Sequence, residues 1–377
     1  MTYRGMALAA LLVALPSGAA AQGVTSVRSA VLYESYDFGG GIFVDKVSEL
    51  TIPVVVNLQL ARNIAMTLSG GFASVNLTSS DPEELPNQSL SGPLDTELRL
   101  SLNVVPRRLV VLATGAVPTG NKSVAREELA ILGVLSSDVI GFSAANLGAG
   151  GNFGGGLVGA IPIGRWALGY GGTFRQPMEY QPIRGIADTT LSPGSEFKLR
   201  AGLEGPVARR TYFRFAGIYA ARQKDKVSGA TRNGIGNRLI GYLSINHGIG
   251  GRGSSITLYA FDVFRGDPQI EPTAVGAAVF PRGNLVAAGV RVALGGRSMT
   301  VTPRVEYRIS AQAADTSDTT LRRAGLSWRF GVDVRRRLTS RASAVIQLGG
   351  ITGNVVQSGT NIGLSGFRVG AHLEYRP

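Results

Sequence analysis

Cysteine is absent from the 377 residues and histidine occurs only twice. The first absence excludes a disulfide framework and any thiolate metal site. The second leaves no imidazole and carboxylate group at metal-ligand spacing. No Gly-x-Ser-x-Gly elbow is present either, and His372 beside Glu374 would need a serine partner that no motif supplies. We therefore expect no catalytic group, no metal and no cofactor. Long apolar runs are missing as well: after the first fifteen residues none reaches the roughly 18 that a spanning helix needs. Passage through a membrane would have to use strands closed into a barrel. Acid is scarce relative to base, with 25 Asp and Glu against 38 Lys and Arg and a net charge of +13.

What is present begins with a leader. Thr2-Tyr3-Arg4 is a short positive segment, Met6 to Leu15 is an apolar core too short to span a bilayer, and Ala19-Ala20-Ala21 suits signal-peptidase cleavage. The expected organisation is a signal peptide over 1–21 and a single exported domain over 22–377. Export points the positive charge away from nucleic acid and toward lipid phosphates and anionic solutes.

The exported part alternates. Leu50, Ile52, Val54, Val56, Leu58 and Leu60 stand against Thr51, Pro53, Val55, Asn57 and Gln59, and Leu94, Thr96, Leu98, Leu100, Leu102 and Val104 stand against Asp95, Glu97, Arg99, Ser101 and Asn103. A period of two is strand periodicity, and charge on the second face implies water there. Strands are predicted near 28–36, 49–61, 64–76, 94–105, 108–117, 149–163, 166–176 and 194–204, then 211–222, 235–246, 254–264, 283–294, 299–310, 320–334, 341–351 and 363–375. Short connections alternate with long polar ones, as in barrels with short periplasmic turns and long external loops. The predicted fold is an all-β, transmembrane, antiparallel up-and-down β-barrel of about sixteen strands, fourteen being the alternative. A soluble β-sandwich would not put charge on one face of most strands.

That alternation turns Glu97, Arg99, Glu196, Lys198, Arg200, Arg214, Arg238 and Arg291 inward, with Arg304, Glu306, Arg308, Arg329, Asp333, Arg368, His372 and Glu374. Arginine-rich linings favour anions. The plainer reading is a set of Arg–Glu ladders that brace the wall. Arg107, Arg108, Arg209, Arg210 and Arg335 to Arg337 fall in or beside short turns, where anionic lipid headgroups are the expected neighbours. The final strand, Arg368-x-Gly370-x-x-Leu373-x-Tyr375, resembles the terminal pattern read by the outer-membrane assembly machinery, here followed by Arg376-Pro377.

Between Pro118 and Gly148, Ala125, Leu129, Leu132, Leu135, Val139 and Phe142 recur at steps of three or four, widened by Ile131 and Val134. This predicts one amphipathic loop helix, with Ser123 as N-cap and Glu127 and Glu128 near the positive end of its dipole. Such a helix would fold into the lumen as a greasy gate or pack over the rim. Just before it, Gly115 to Ser123 departs from P-loop spacing, because Asn121 separates Gly120 from Lys122. The run Val110 to Gly120, ending Pro118-Thr119-Gly120, resembles a strand end of the phenol meta-pathway family, which is similar to the fatty-acid and aromatic-hydrocarbon channels. The resemblance implies passive admission of small hydrophobic or amphipathic solutes through an outer membrane. The Asn-Pro-Ala plug motif of the fatty-acid channels is absent. The alternative, from the arginines alone, is a general porin with anion preference.

Overall fold

The computed structural model describes residues 24–377 except 41–42, 138, 145–146, 186–188, 251–252, 272–280, 297, 316–317 and 358. The leader over 1–21 lies outside the described residues. Sixteen wall strands follow in chain order: β1 (Val24–Gly39), β2 (Val44–Ala61), β3 (Ile64–Ser79), β4 in two pieces (Gln88–Pro93 and Thr96–Val105), β5 (Leu109–Val117), β6 (Asn152–Ile163), β7 (Trp166–Pro177) and β8 (Glu196–Ala208). The second half comprises β9 (Thr211–Arg222), β10 (Arg238–Ile249), β11 (Ser254–Arg265), β12 (Gly283–Gly295), β13 (Met299–Gln312), β14 (Arg322–Arg337), β15 (Ala342–Gln357) and β16 (Thr360–Tyr375). Each strand pairs antiparallel with its sequence neighbours, and β1 pairs with β16 to close the barrel. The two pieces of β4 share β3 as partner, on Phe72 to Leu77 and on Ile64 to Ser69. The count is sixteen, not fourteen: β2 and β11 are both full strands.

Closure leaves no free sheet edge, and the period of two then fixes which residues share a face. On β16, Phe367, Val369, Leu373 and Tyr375 are exposed, as are Ile346 and Leu348 on β15 and Trp328 and Phe330 on β14. These form the outer apolar band. The residues between them, Arg368, Gly370, His372 and Glu374, stand opposite Glu34, Leu32, Ala30 and Arg28 of β1 and form the inner face.

Both ends of the described chain lie at the end of the barrel that carries the short connections, such as 62–63, 164–165 and 209–210. The other end carries the long ones, 118–151, 178–195, 223–237 and 266–282, but also the tight links 40–43 and 358–359. Here the strands outrun the predicted boundaries, with β1 reaching Gly39, β2 starting at Val44 and β15 reaching Gln357. The reason is an inversion of pattern. Beyond the apolar band the outer face turns polar, with Asp37, Lys46, Ser48, Asn76 and Thr78, while Tyr36, Phe38, Val47, Ile362 and Leu364 are buried on the inner face. Something apolar must cover that inner face, and it is the 118–151 loop.

Candidate functional site

The loop leaves β5 through Pro118-Thr119-Gly120. The Thr119 hydroxyl accepts the Thr96 N–H at 2.9 Å and donates to the Leu94 carbonyl at 3.0 Å. Asp95, in the interruption of β4, accepts the Gly120 N–H at 2.9 Å and the Ala149 N–H at 2.8 Å. One carboxylate thus clamps both ends of the loop. A Cβ on Gly120 would strike the Leu147 carbonyl, so this position requires glycine for close backbone approach. The motif that carried the family resemblance therefore has a local structural role.

The loop helix is shorter than its periodicity predicts. A 3-10 turn over Arg126–Glu128 leads into α1, Leu129–Leu135, and the chain then leaves helical geometry. Ser123 is not the cap: its hydroxyl donates to the Gln181 carbonyl. The Glu128 carboxylate instead reaches back to the Ala125 N–H at 2.7 Å and takes Arg184 at 2.8 Å. After α1 the Ser136 hydroxyl donates to the Gly133 carbonyl at 2.8 Å, the local competition with the helix ladder that serine favours. Val139 and Phe142 therefore follow α1 rather than extending it, yet they remain on the buried side.

Ile131, Leu135, Val139, Ile140, Phe142 and Leu147 are buried against Tyr36, Val47, Ala73, Val75, Leu77, Leu90, Ile351 and Ile362. Since those wall residues lie on the inner face, the loop sits within the barrel, not over its rim. Leu132 is partly buried against the same cluster, Ala125 is half-buried, and Leu129, at 40% exposure, faces away. Most of the predicted greasy face, Leu129 excepted, is thus packed on the wall. Each fully buried Leu or Ile side chain contributes about 1.5–3 kcal/mol to holding the loop there.

Four wall side chains fasten the segment 139–144. Glu34 accepts the Ser143 N–H at 2.7 Å, the Tyr36 hydroxyl at 2.6 Å and the Arg368 Nε at 3.0 Å. Arg368 also donates to the Gly141 carbonyl at 3.1 Å. Glu49, directly opposite Glu34 in the β1–β2 register, accepts the Ala144 N–H at 2.8 Å and the Thr51 hydroxyl. Arg329 donates to the carbonyls of Val139, at 2.8 Å, and Ile140. Gly141 takes φ +61° at the tightest point, where a Cβ would press on Arg308. Phe142 meets the Tyr36 ring edge-on at 5.0 Å.

Below this seat opens a cavity of about 380 Å³. Arg291, Arg304, Arg308, Arg329 and Arg368 line it with Glu306 and Asp333 as the only carboxylates among the described residues, and with Tyr242, Tyr259 and Phe261 on the neighbouring strands β10 and β11. Glu306 is shared by Arg308 at 2.5 Å and the Tyr259 hydroxyl at 2.8 Å, and Asp333 is 3.5 Å from Arg304. Arg368 pairs with Glu34 and Arg329 spends itself on carbonyls. Arg291 has no carboxylate partner among the described residues; its guanidinium lies over Tyr259 at 4.9 Å, and that of Arg308 over Phe261 at 5.4 Å.

Seven of the residues singled out from the sequence thus meet at one cavity. His372 and Glu374 line a second one nearer the short-turn end, with Arg28, Arg335 and Gln347. Lys198 pairs with Glu196 at 2.9 Å and Arg214 with Glu204 at 2.8 Å, remote from both. Glu97 and Arg99 on β4, Arg200 on β8 and Arg238 on β10 join neither cavity. Gly370 sits under the Leu32 side chain, while Leu373 and Tyr375 are exposed on the outer face of the closing strand. Glu34, Glu49, Tyr36, Tyr242, Tyr259 and Phe261 escaped the sequence reading. A carboxylate breaking the apolar run of β1 was the available signal for Glu34; inner-face aromatics carry none, since alternation assigns aromatics to lipid.

No family model matches the chain, and no curated protein sequence does. Solved structures do match. A bacterial polysaccharide outer-membrane secretin gives a TM-score of 0.49 at 10% identity, over 93% of this chain and 98% of that one. OccAB3 of Acinetobacter baumannii gives 0.47 at 8%, over 95% and 100%. OccK11 (OpdR) of Pseudomonas aeruginosa gives 0.46 at 12%, over 94% and 96%. The likeness is one of barrel architecture.

Proposed function

We propose that this protein is a passive channel of a Gram-negative-type outer membrane, narrowed by its 118–151 loop and preferring small anionic solutes. The observation that carries the reading is the cavity beside the seated loop, where five arginines, one of them paired with Glu34, face two carboxylates. Fixed positive charge in a narrow, partly desolvated lumen raises the local concentration of anions and repels cations. Hydrophobic cargo, implied by the resemblance at Val110 to Gly120, would need a free apolar face on the loop. The face that motivated it is packed on the wall, so we place anions first. The outer-membrane lipids are the partners of the apolar band, and the barrel-assembly machinery is the partner of the terminal strand.

Liposome swelling tests the proposal. Proteoliposomes should admit a small carboxylate faster than a cation of equal size, and both faster than protein-free vesicles. Equal rates for the two, or uptake of aromatic hydrocarbon alone, would sink it.

A further inference from the structure

At the short-turn rim lies a second concentration of arginine, which the channel reading does not use. Arg335, Arg337, Arg341 and Arg376 line a groove of about 230 Å³ with Glu374 as its only carboxylate among the described residues. Glu374 is oversubscribed: Arg376 approaches at 2.8 Å, Arg28 at 3.3 Å and Arg335 at 3.8 Å. These three guanidinium side chains are more than half exposed, whereas Glu374 is only 15% exposed. Arg337 touches backbone carbonyls alone, those of Thr339 at 3.2 Å and Ser340 at 3.4 Å. Among the described residues four positive groups and one negative line the groove, a surplus of three.

The groove is also built rather than incidental. The Arg337 N–H donates to the Ser298 carbonyl at 2.8 Å and the Arg376 N–H to the Arg341 carbonyl at 2.8 Å, which ties two short turns and the segment after β16 together. The Thr339 hydroxyl orders the 338–341 turn by accepting the N–H groups of Arg341 at 3.1 Å and Ala342 at 2.9 Å. Three guanidinium groups converge on the one Glu374 carboxylate, so the groove keeps positive charge that attracts a further anion. Guanidinium forks match tetrahedral oxyanions, two donors to two oxygens, better than they match a spherical ion.

We infer that this groove binds a phosphate group. In the orientation that puts short turns in the periplasm the groove opens at the periplasmic mouth, where it meets a soluble phosphate or the headgroup of an anionic inner-leaflet lipid that reaches over the rim. The site stands whether or not the lumen conducts.

Calorimetric titration of inorganic phosphate into the full-length protein, purified free of phospholipid in a zwitterionic detergent, tests it. Wild type should show one saturable site. An R341Q/R376Q double variant should bind at least about tenfold more weakly, as should the single R335Q variant, while R107Q/R165Q, which removes the same charge from other turns, should bind like wild type. Circular dichroism checks that each variant keeps its strands. A second arm identifies the source. If native mass spectrometry finds phosphatidylglycerol retained by wild type, lost from R341Q/R376Q and displaced by phosphate, the headgroup is the ligand; equal lipid retention in both assigns a soluble phosphate. No saturable binding by wild type, or equal weakening in R107Q/R165Q, overturns the proposal.

Discussion

Arg291 and Arg308 occupy neighbouring strands of the same inner face, yet their surroundings separate them. Arg308 is neutralised by Glu306 at 2.5 Å, whereas Arg291 has only the Tyr259 ring beneath it. Replacing Arg291 with Gln should therefore lower the anion-to-cation permeability ratio and leave barrel stability nearly unchanged. Replacing Arg308 with Gln removes the same single charge and should lower the ratio to a similar extent, but it also strips Glu306 of its cation and should lower barrel stability as well; reversal potentials and urea midpoints of the two variants would show this. Arg368 plays a different part. Among the described residues it is the only cation paired with Glu34, which is fully buried at 0% exposure. Removing one partner of a buried pair costs about 3–5 kcal/mol, so Arg368→Gln should lower the urea midpoint sharply. Removing the charge of Glu34 as well, in E34Q/R368Q, should recover a large part of the loss. Additive losses would mean that the two do not act as a pair.

At the scale of the element, the 118–151 loop is held by apolar burial on one side and by Glu34, Glu49, Arg329 and Arg368 on the other. Because the chain has no native cysteine, single substitutions report its position cleanly. Leu129→Cys should react fast with a membrane-impermeant maleimide, and Leu135→Cys should react at least about tenfold more slowly, since the thiol is then reachable only through local opening. Equal rates would contradict the buried seat. Leu135→Ala should cost about 2–5 kcal/mol of seating energy and raise mean single-channel conductance. The loop also shows where the sequence stopped being legible. Leu135, Val139 and Phe142 of the stripe at steps of three and four are buried, because burial selects apolar side chains whatever the backbone does, whereas Leu129 of the same stripe faces away. The stripe could not reveal that Val139 and Phe142 lie past the helix, since the Ser136 hydroxyl ends the helix by a contact that hydropathy does not register.

For the whole molecule, the strand count and order were legible because lipid on one side and charge on the other impose a strict period of two. The strand ends above the apolar band were not, because there the pattern inverts: Tyr36, Phe38 and Val47 turn inward onto the loop while Asp37 and Lys46 turn out. That inversion depends on a partner more than 70 residues away in sequence and has no local signature. The same distance hid the seat. Glu34 and Ser143 are 109 residues apart, and Arg329 and Val139 are 190 apart. Closure brings the β1 and β16 arginine and carboxylate residues to one wall, and the loop packs on that wall beside the arginine-lined cavity. The reversal potential of the wild-type protein in a planar bilayer, under a potassium chloride gradient, tests this account most directly. A steady conductance with a reversal potential displaced toward that of chloride is expected of an anion-preferring channel; a displacement toward that of potassium, or no conductance, would contradict it.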